Sequence, residues 1–83
     1  MVLEENYLVH PDGERQEIEN SLQMNQVVDM NGRPLRIAPP APRIIAYRIF
    51  RVTTRDETGF RRRYHYAELM NMEQIESYAR FGL

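Results

Sequence analysis

The segment from Arg43 to Met70 carries the strongest strand signal in the chain. It reads RIIAYRIFRVTTR, then DETG, then FRRRYHYAELM. Both flanks are rich in β-branched and aromatic residues, which favour strands. The polar segment between them ends in Gly59, a residue suited to a turn. The pattern therefore predicts a long antiparallel β-hairpin.

The register of this hairpin follows from its turn. Pairing Arg55 with Phe60 places Ile49 opposite Tyr66, on a face that is apolar at the base of the hairpin and polar toward its tip. A bulge at Gly59 would shift this register by one residue.

Two shorter hairpins are expected earlier in the chain. In NYLVHPDGERQEIE, the residues Pro11–Gly13 suit successive positions of a turn between strand-like flanks. Asn31 and Gly32 form a strong hairpin signal because both residues accept a positive φ. Val28 and Leu35 are then expected to face each other across the second hairpin.

The segments between these hairpins are less sharply defined. Residues 17–30 alternate between apolar and polar side chains, which predicts a strand with a break near Asn20 and Ser21. A short helix over residues 20–26 is the alternative. The run APPAP, residues 38–42, predicts a stiff connector, and a proline-rich ligand for an aromatic groove is the alternative.

The residues after the long hairpin predict a helix. Asn71 is a good N-cap, Gln74 has the spacing of a capping box, and Gly82 suits the end of the helix. The apolar stripe of this helix comprises Met72, Ile75, Tyr78 and Ala79. The order of elements predicts an α+β domain: mainly antiparallel β, as hairpins in a small sheet or partly open barrel, with one C-terminal α-helix closing a face or an end.

We expect one small domain over residues 1–83, because the chain is too short for two. Its parts are acidic hairpins over 1–37, the connector over 38–42, the Arg-rich hairpin over 43–70 and the helix over 71–82. Residues 1–32 carry a net charge of −6 and residues 33–83 a net charge of +5. Either the two halves neutralise each other in one sheet, or the second half presents a basic surface.

Composition sets the expected compartment. There is no Cys, so neither a disulfide framework nor a thiolate metal site is available. No apolar run approaches the roughly 20 residues of a membrane span, and the acidic start MVLEENYLVH is unlike a signal peptide. We expect a cytoplasmic protein without membrane contact.

Enzyme chemistry and cofactors are not expected. His10, Asp12 and Glu14 surround the first turn, but Pro11 and Gly13 already explain that turn, so no metal site is predicted. His65 has no carboxylate of the same parity in its hairpin, which argues against acid–base catalysis. There is also no Gly-rich phosphate loop.

The hairpin tip is the candidate binding region. We expect partner contacts from Arg48, Arg51, Arg55, Arg61, Arg62, Arg63, Tyr64 and Tyr66. Arg and Tyr are enriched at the centres of protein interfaces. Because successive strand residues point to opposite faces, the three consecutive arginines do not form one flat patch.

Four interpretations of this region stay open. The first is a small non-enzymatic interaction protein (an adaptor, inhibitor or complex subunit) that docks on another protein with an acidic surface. A phage or mobile-element origin and a homo-oligomer are both compatible with it. The second is nucleic-acid binding by the same basic ribbon, with Tyr64, Tyr66, Phe50 and Phe60 stacking on bases. The overall charge of −1 argues against nucleic acid. In the third, the arginines only pair with the acidic N-terminal strands. In the fourth, the late aromatic residues only fill the core between sheet and helix.

Overall fold

The structure is a computed structural model that describes residues 3–41 and 43–82. Within these residues it has five strands and one helix: β1 Leu3–Val9, β2 Arg15–Ile18, β3 Val27–Val28, β4 Tyr47–Glu57, β5 Phe60–Leu69 and α1 Met72–Phe81. The strand order in the sheet is β2-β1-β5-β4-β3. Only β1 and β5 run parallel among these neighbours, and the sheet curls into a half-barrel. The predicted fold class, mainly antiparallel α+β with a C-terminal helix, is confirmed.

The first hairpin forms as predicted. β1 and β2 pair antiparallel, with Val9 opposite Arg15. Gly13 has a φ of 90°, and the amide of Glu14 donates to Asp12 Oδ1 at 3.0 Å. The turn residues therefore act as their types predict.

Residues 19–26 form neither the continued strand nor the alternative short helix. β2 ends at Ile18, close to the predicted break, and the chain bends and turns until β3 begins at Val27. Asn25 has a φ of 66°, a left-handed conformation that Asn tolerates better than most residues. Leu22 is buried but belongs to a loop, and Met24 is 53% exposed, so the alternation in this segment does not reflect a strand.

A turn also forms at Asn31–Gly32, but of these two residues only Gly32 has a positive φ, 78°, and the predicted register is wrong. Val28 is bridged to Pro34 and not to Leu35. The amide of Asp29 bonds the carbonyl of Arg33, so the loop comprises the three residues 30–32 and not the two residues Asn31 and Gly32. The second arm is a single bridge at the border of the sheet, consistent with a proline that has no N–H to donate.

The long hairpin of β4 and β5 is confirmed, with a corrected register. Glu57 pairs with Phe60 across a two-residue turn, because the strands continue further toward the tip than predicted. The bulge lies between Ile49 and Arg51, not at Gly59. It turns Ile49 to the face of Ala67, so the expected pairing of Ile49 with Tyr66 is wrong.

The two faces of the sheet differ in burial. We call the face that carries Leu8, Val52, His65 and Ala67 the inner face, because Leu8, His65 and Ala67 are buried there. The opposite, outer face carries Tyr7, Thr53, Tyr64 and Tyr66, which are half-buried, and Val9, which is buried beside Tyr66. The main core cluster consists of Leu8, Leu22, Val28, Ile49 and Ala67.

The helix forms with both of its predicted caps. The Gln74 amide donates to Asn71 Oδ1 and the Asn71 amide to Gln74 Oε1, each at 2.8 Å, and Gly82 is left-handed. Ile75 is buried against Val27 and Met70 in a second core cluster. The helix thus packs at the base of the long hairpin. The core interpretation placed the late aromatic residues between helix and sheet, but Tyr64 and Tyr66 do not lie there.

Pro42, the last residue of the predicted connector, lies outside the described residues. Residues 38–41 form neither strand nor helix.

Candidate functional site

The strand alternation divides the predicted binding residues between the two faces. The outer face receives Arg48, Arg51, Arg55, Arg62, Tyr64 and Tyr66, as their partners in the ladder show. Arg61 and Arg63 lie on the inner face, in line with His65. The residues therefore do not form one patch, and the outer face holds most of them.

Each arginine of the consecutive run has an acidic neighbour. The nitrogen-to-oxygen distances are 2.7 Å for Arg61–Asp56, 3.4 Å for Arg62–Glu5 and 3.8 Å for Arg63–Glu4. Arg63 also donates to Ser21 Oγ at 2.8 Å. These side chains are partly exposed, so the pairs contribute little stability, but they neutralise the positive charge of the tip.

The parallel pairing of β1 with β5 brings the acidic residues to the tip. It places Glu4 beside Arg61 and Glu5 beside Arg62 in the ladder. The opposite charges of the two halves of the chain thus meet within one sheet.

A row of aromatic rings crosses the outer face. Tyr7 stacks on Tyr64, with centroids 5.4 Å apart and planes 20° apart. Phe50, which the bulge extrudes, lies 6.5 Å from Tyr66. The hydroxyl of Tyr7 donates to Glu5 Oε1 at 2.9 Å, and this bond to a carboxylate raises the pKa of Tyr7. Tyr7 is therefore a neutral, oriented ring at ordinary pH.

Guanidinium groups cover two of these rings. Arg15 lies 5.0 Å from the centroid of Tyr64, and Arg51 lies 5.4 Å from that of Tyr66. Such contacts hold arginine side chains against the sheet while leaving their N–H groups available. Among residues 3–41 and 43–82, Arg15, Arg48 and Arg51 have no carboxylate oxygen within 4.0 Å.

A groove continues the aromatic row toward the first turn. It has a volume of about 440 Å³, and its apolar lining includes Val9, Pro11, Phe50, Tyr66 and Leu69. Phe50 is 47% exposed and Leu69 60% exposed, so apolar surface here remains in contact with water. A larger hollow of about 510 Å³ lies between β2, the loop that follows it and the turn at Gly32, lined mainly by polar residues such as Gln16, Asn20 and Asn31.

Together these residues define what we call the aromatic–arginine surface: Tyr7, Arg15, Phe50, Arg51, Tyr64 and Tyr66. Arg51, Tyr64 and Tyr66 are among the candidates predicted from sequence, and Phe50 is among the rings expected to stack in the nucleic-acid alternative, whereas Tyr7 and Arg15 were missed. Tyr7 and Arg15 join through the parallel pairing of β1 with β5, and Phe50 joins through the bulge. The sequence predicted a strand at Tyr7 but held no signal for which strand it would lie beside.

His65 has a structural role on the inner face. It is fully buried, its Nδ1 lies 3.0 Å from the carbonyl oxygen of Tyr7, and its Nε2 accepts from the amide of Leu22 at 3.0 Å. Because Nε2 accepts, Nδ1 carries the proton and the ring is neutral. Burial lowers the pKa of His65, and the positive charge of Arg63 adds to this effect.

Comparison with known proteins places the chain in a family. The family model described as "Uncharacterised Treponema protein" matches residues 2–78. The chain belongs to this family. The match spans all five strands and most of the helix, so the aromatic–arginine surface lies inside the family's domain. No curated protein and no solved structure matches the chain.

Within residues 3–41 and 43–82, no three His, Asp or Glu side chains are grouped so that they would hold a metal ion. In the same part of the chain, the helix is too short and too polar to span a bilayer.

Proposed function

We propose that this protein is a small non-enzymatic interaction protein, an adaptor, inhibitor or complex subunit, that docks on another protein through the aromatic–arginine surface. The observation that carries this proposal is the row of half-buried rings across β1, β5 and β4 with Arg15 and Arg51 laid over Tyr64 and Tyr66. Within residues 3–41 and 43–82, none of the rings in this row belongs to either core cluster, so the row is not covered by the packed core.

The chemistry of the surface favours a partner with acidic and apolar groups. Arg15, Arg48 and Arg51 lack a nearby carboxylate within the described residues, so a partner's Asp or Glu gains a charge-assisted hydrogen bond there. The groove beside Tyr66 accepts an apolar side chain. Aromatic and arginine anchors of this kind dominate the binding energy of many interfaces.

The cytoplasm is the compartment that we propose for this interaction. The chain contains no Cys, so its stability does not depend on an oxidising environment. Charge on the surface then speeds encounter, and the burial of rings slows dissociation.

Affinity capture with matched variants tests the proposal. The tagged full chain is used to capture partners from a lysate of its natural host, and each captured protein is then purified and titrated. We expect the double variant Arg51→Gln and Tyr66→Ser to lose binding. A matched pair of single variants separates the effect of the outer face from that of the inner face. Arg62 and Arg61 have similar side-chain exposure, 40% and 41%, and each pairs with one acid.

Arg62→Gln on the outer face is expected to weaken binding, and Arg61→Gln on the inner face is expected to leave it unchanged. Equal effects of these two changes, or full binding by the double variant, contradict docking through the outer face. The salt dependence separates a protein partner from a nucleic acid, because phosphate contacts by several arginines weaken steeply with salt. The neutralised tip, where Arg61, Arg62 and Arg63 each have a carboxylate neighbour, disfavours the nucleic-acid alternative.

A further inference from the structure

The outer edge of β4 is long and unpaired. β3 covers only Tyr47 and Arg48 in the ladder, and the loop before it bonds the backbone of Ile49. From Arg51 to Glu57, no strand within residues 3–41 and 43–82 pairs with β4 on this side. An edge of seven residues without a cover is a template for another strand.

The direction of the backbone groups along this edge follows from the neighbouring ladder. Leu3 donates to the carbonyl of Gly59, so the odd residues of β5 direct their backbone groups toward β1. The even residues then bond β4, at their partners Arg51, Thr53, Arg55 and Glu57. Val52, Thr54 and Asp56 alternate with these residues along β4. Their backbone N–H and C=O groups therefore point outward from the free edge of the sheet, away from β5.

The charges along the edge are self-complementary. Arg51 and Glu57 lie three residues before and three residues after Thr54, on the same face of the strand. In a second, antiparallel copy centred on Thr54, each Arg51 faces a Glu57 and each Thr53 faces an Arg55. Asp56 then faces Val52. The Asp56 carboxylate already forms an ion pair with Arg61 of its own copy, with 2.7 Å between Oδ1 and Nε.

The neighbouring registers are disfavoured by like charges. A shift of two residues in one direction places Arg51 opposite Arg55, and a shift of two in the other places Arg55 opposite Arg55. Shifts of one residue would point the outer faces in opposite directions, because side chains alternate along a strand. Charged edge residues usually oppose pairing with an arbitrary strand, whereas this set matches its own inverted copy.

We propose that two copies of this chain pair antiparallel along the outer edge of β4, about a twofold axis at Thr54, with Arg51 of each copy opposite Glu57 of the other. Val52, Thr54 and Asp56 supply the backbone hydrogen bonds. The result is one continuous sheet in which both aromatic–arginine surfaces face the same side. This inference goes beyond the proposed docking function, because it concerns the strand edge and a second copy of the chain.

Charge exchange between copies tests the register. Self-association of the full chain is measured by sedimentation velocity over a range of concentrations. Arg51→Glu alone places Glu opposite Glu57, and Glu57→Arg alone places Arg opposite Arg51. We expect each variant to weaken its own dimer by about tenfold or more. An equimolar mixture of the two variants restores opposite charges at both positions, so we expect a heterodimer.

A backbone variant gives an independent test. Thr54→Pro removes an N–H that points away from β5, so the hairpin ladder keeps its bonds while the dimer loses its central pair. Circular dichroism confirms that each variant is folded. A wild-type chain that stays monomeric up to about 1 mM overturns the proposal. So does a dimer that folded single variants leave unchanged, or a mixture that fails to associate.

Discussion

The imidazole of His65 and the backbone amide of Leu22 are joined by a 3.0 Å hydrogen bond across 43 residues of sequence. The same ring bonds the carbonyl of Tyr7 at 3.0 Å. One buried side chain therefore ties β5 to β1 and to the loop that follows β2. This loop contributes Leu22 to the core, so the histidine helps to close the inner face of the half-barrel.

Replacing His65 with Phe is expected to destabilise the fold. Phe fills the space, but it leaves the buried Leu22 amide without its acceptor. The Tyr7 carbonyl loses one donor and keeps its bond to the backbone amide of residue 65 in the parallel ladder. An unsatisfied buried amide costs about 1–3 kcal/mol, so we expect the free energy of unfolding to fall by about that amount in urea titrations. His10→Phe is the matched control, since His10 is only half-buried and bonds a side chain, and its effect is expected to be smaller. Equal decreases in the free energy of unfolding for the two variants would show that the hydrogen bonds of His65 do not contribute more to stability than those of His10.

Stability is expected to fall below neutral pH because of His65. Burial lowers the pKa of the folded ring below its ordinary value of 6.5, Arg63 adds to the lowering, and the bond to Tyr7 and the charge of Glu4 oppose it. The unfolded chain thus takes up a proton first as the pH falls. The contribution is full above pH 6.5 and is lost as the pH drops through 6.5 toward the folded pKa.

Urea unfolding at a series of pH values, for wild type and His65→Phe, isolates this contribution. The difference between the two proteins should shrink as the medium becomes more acidic. A difference that stays constant from pH 7.5 down to about pH 5 is incompatible with a neutral, buried imidazole.

Ile75→Ala tests the attachment of the helix. Ile75 is only 2% exposed, in the cluster with Val27, Ala46 and Met70. Deleting a fully buried branched side chain costs about 2–5 kcal/mol, measured as the free energy of unfolding. Met72→Ala on the same helix is the comparison, because Met72 is 39% exposed and should cost less. A neutral Ile75→Ala would mean that the helix does not depend on this contact.

Replacing Arg61, Arg62 and Arg63 together with Ala is expected to leave the fold nearly intact. Their ion pairs are partly exposed, and such pairs contribute little. We expect the melting temperature to change by less than about 5 °C. A much larger drop would show that the pairs between β1 and β5 hold the parallel ladder together.

Sequence reasoning identified most elements from local signals. The Pro11–Gly13 turn, the Asn31–Gly32 turn, the long hairpin and the capped helix all depend on residues within a few positions of one another, and all four form. Registers were less predictable. The Val28 pairing and the bulge at Phe50 depend on hydrogen bonds and packing with other strands, which short-range patterns do not contain.

What the sequence determined by itself is therefore the set of elements: turn residues with accessible positive φ, β-branched runs and helix caps act through local sterics and hydrogen bonds. What only the tertiary structure decided is which elements meet. The parallel pairing of β1 with β5 neutralises the arginine run with Glu4 and Glu5 and stacks Tyr7 on Tyr64. That pairing is stabilised by burial of Leu8 and His65 between distant segments, and the free energy of such burial depends on the whole core rather than on any stretch of residues.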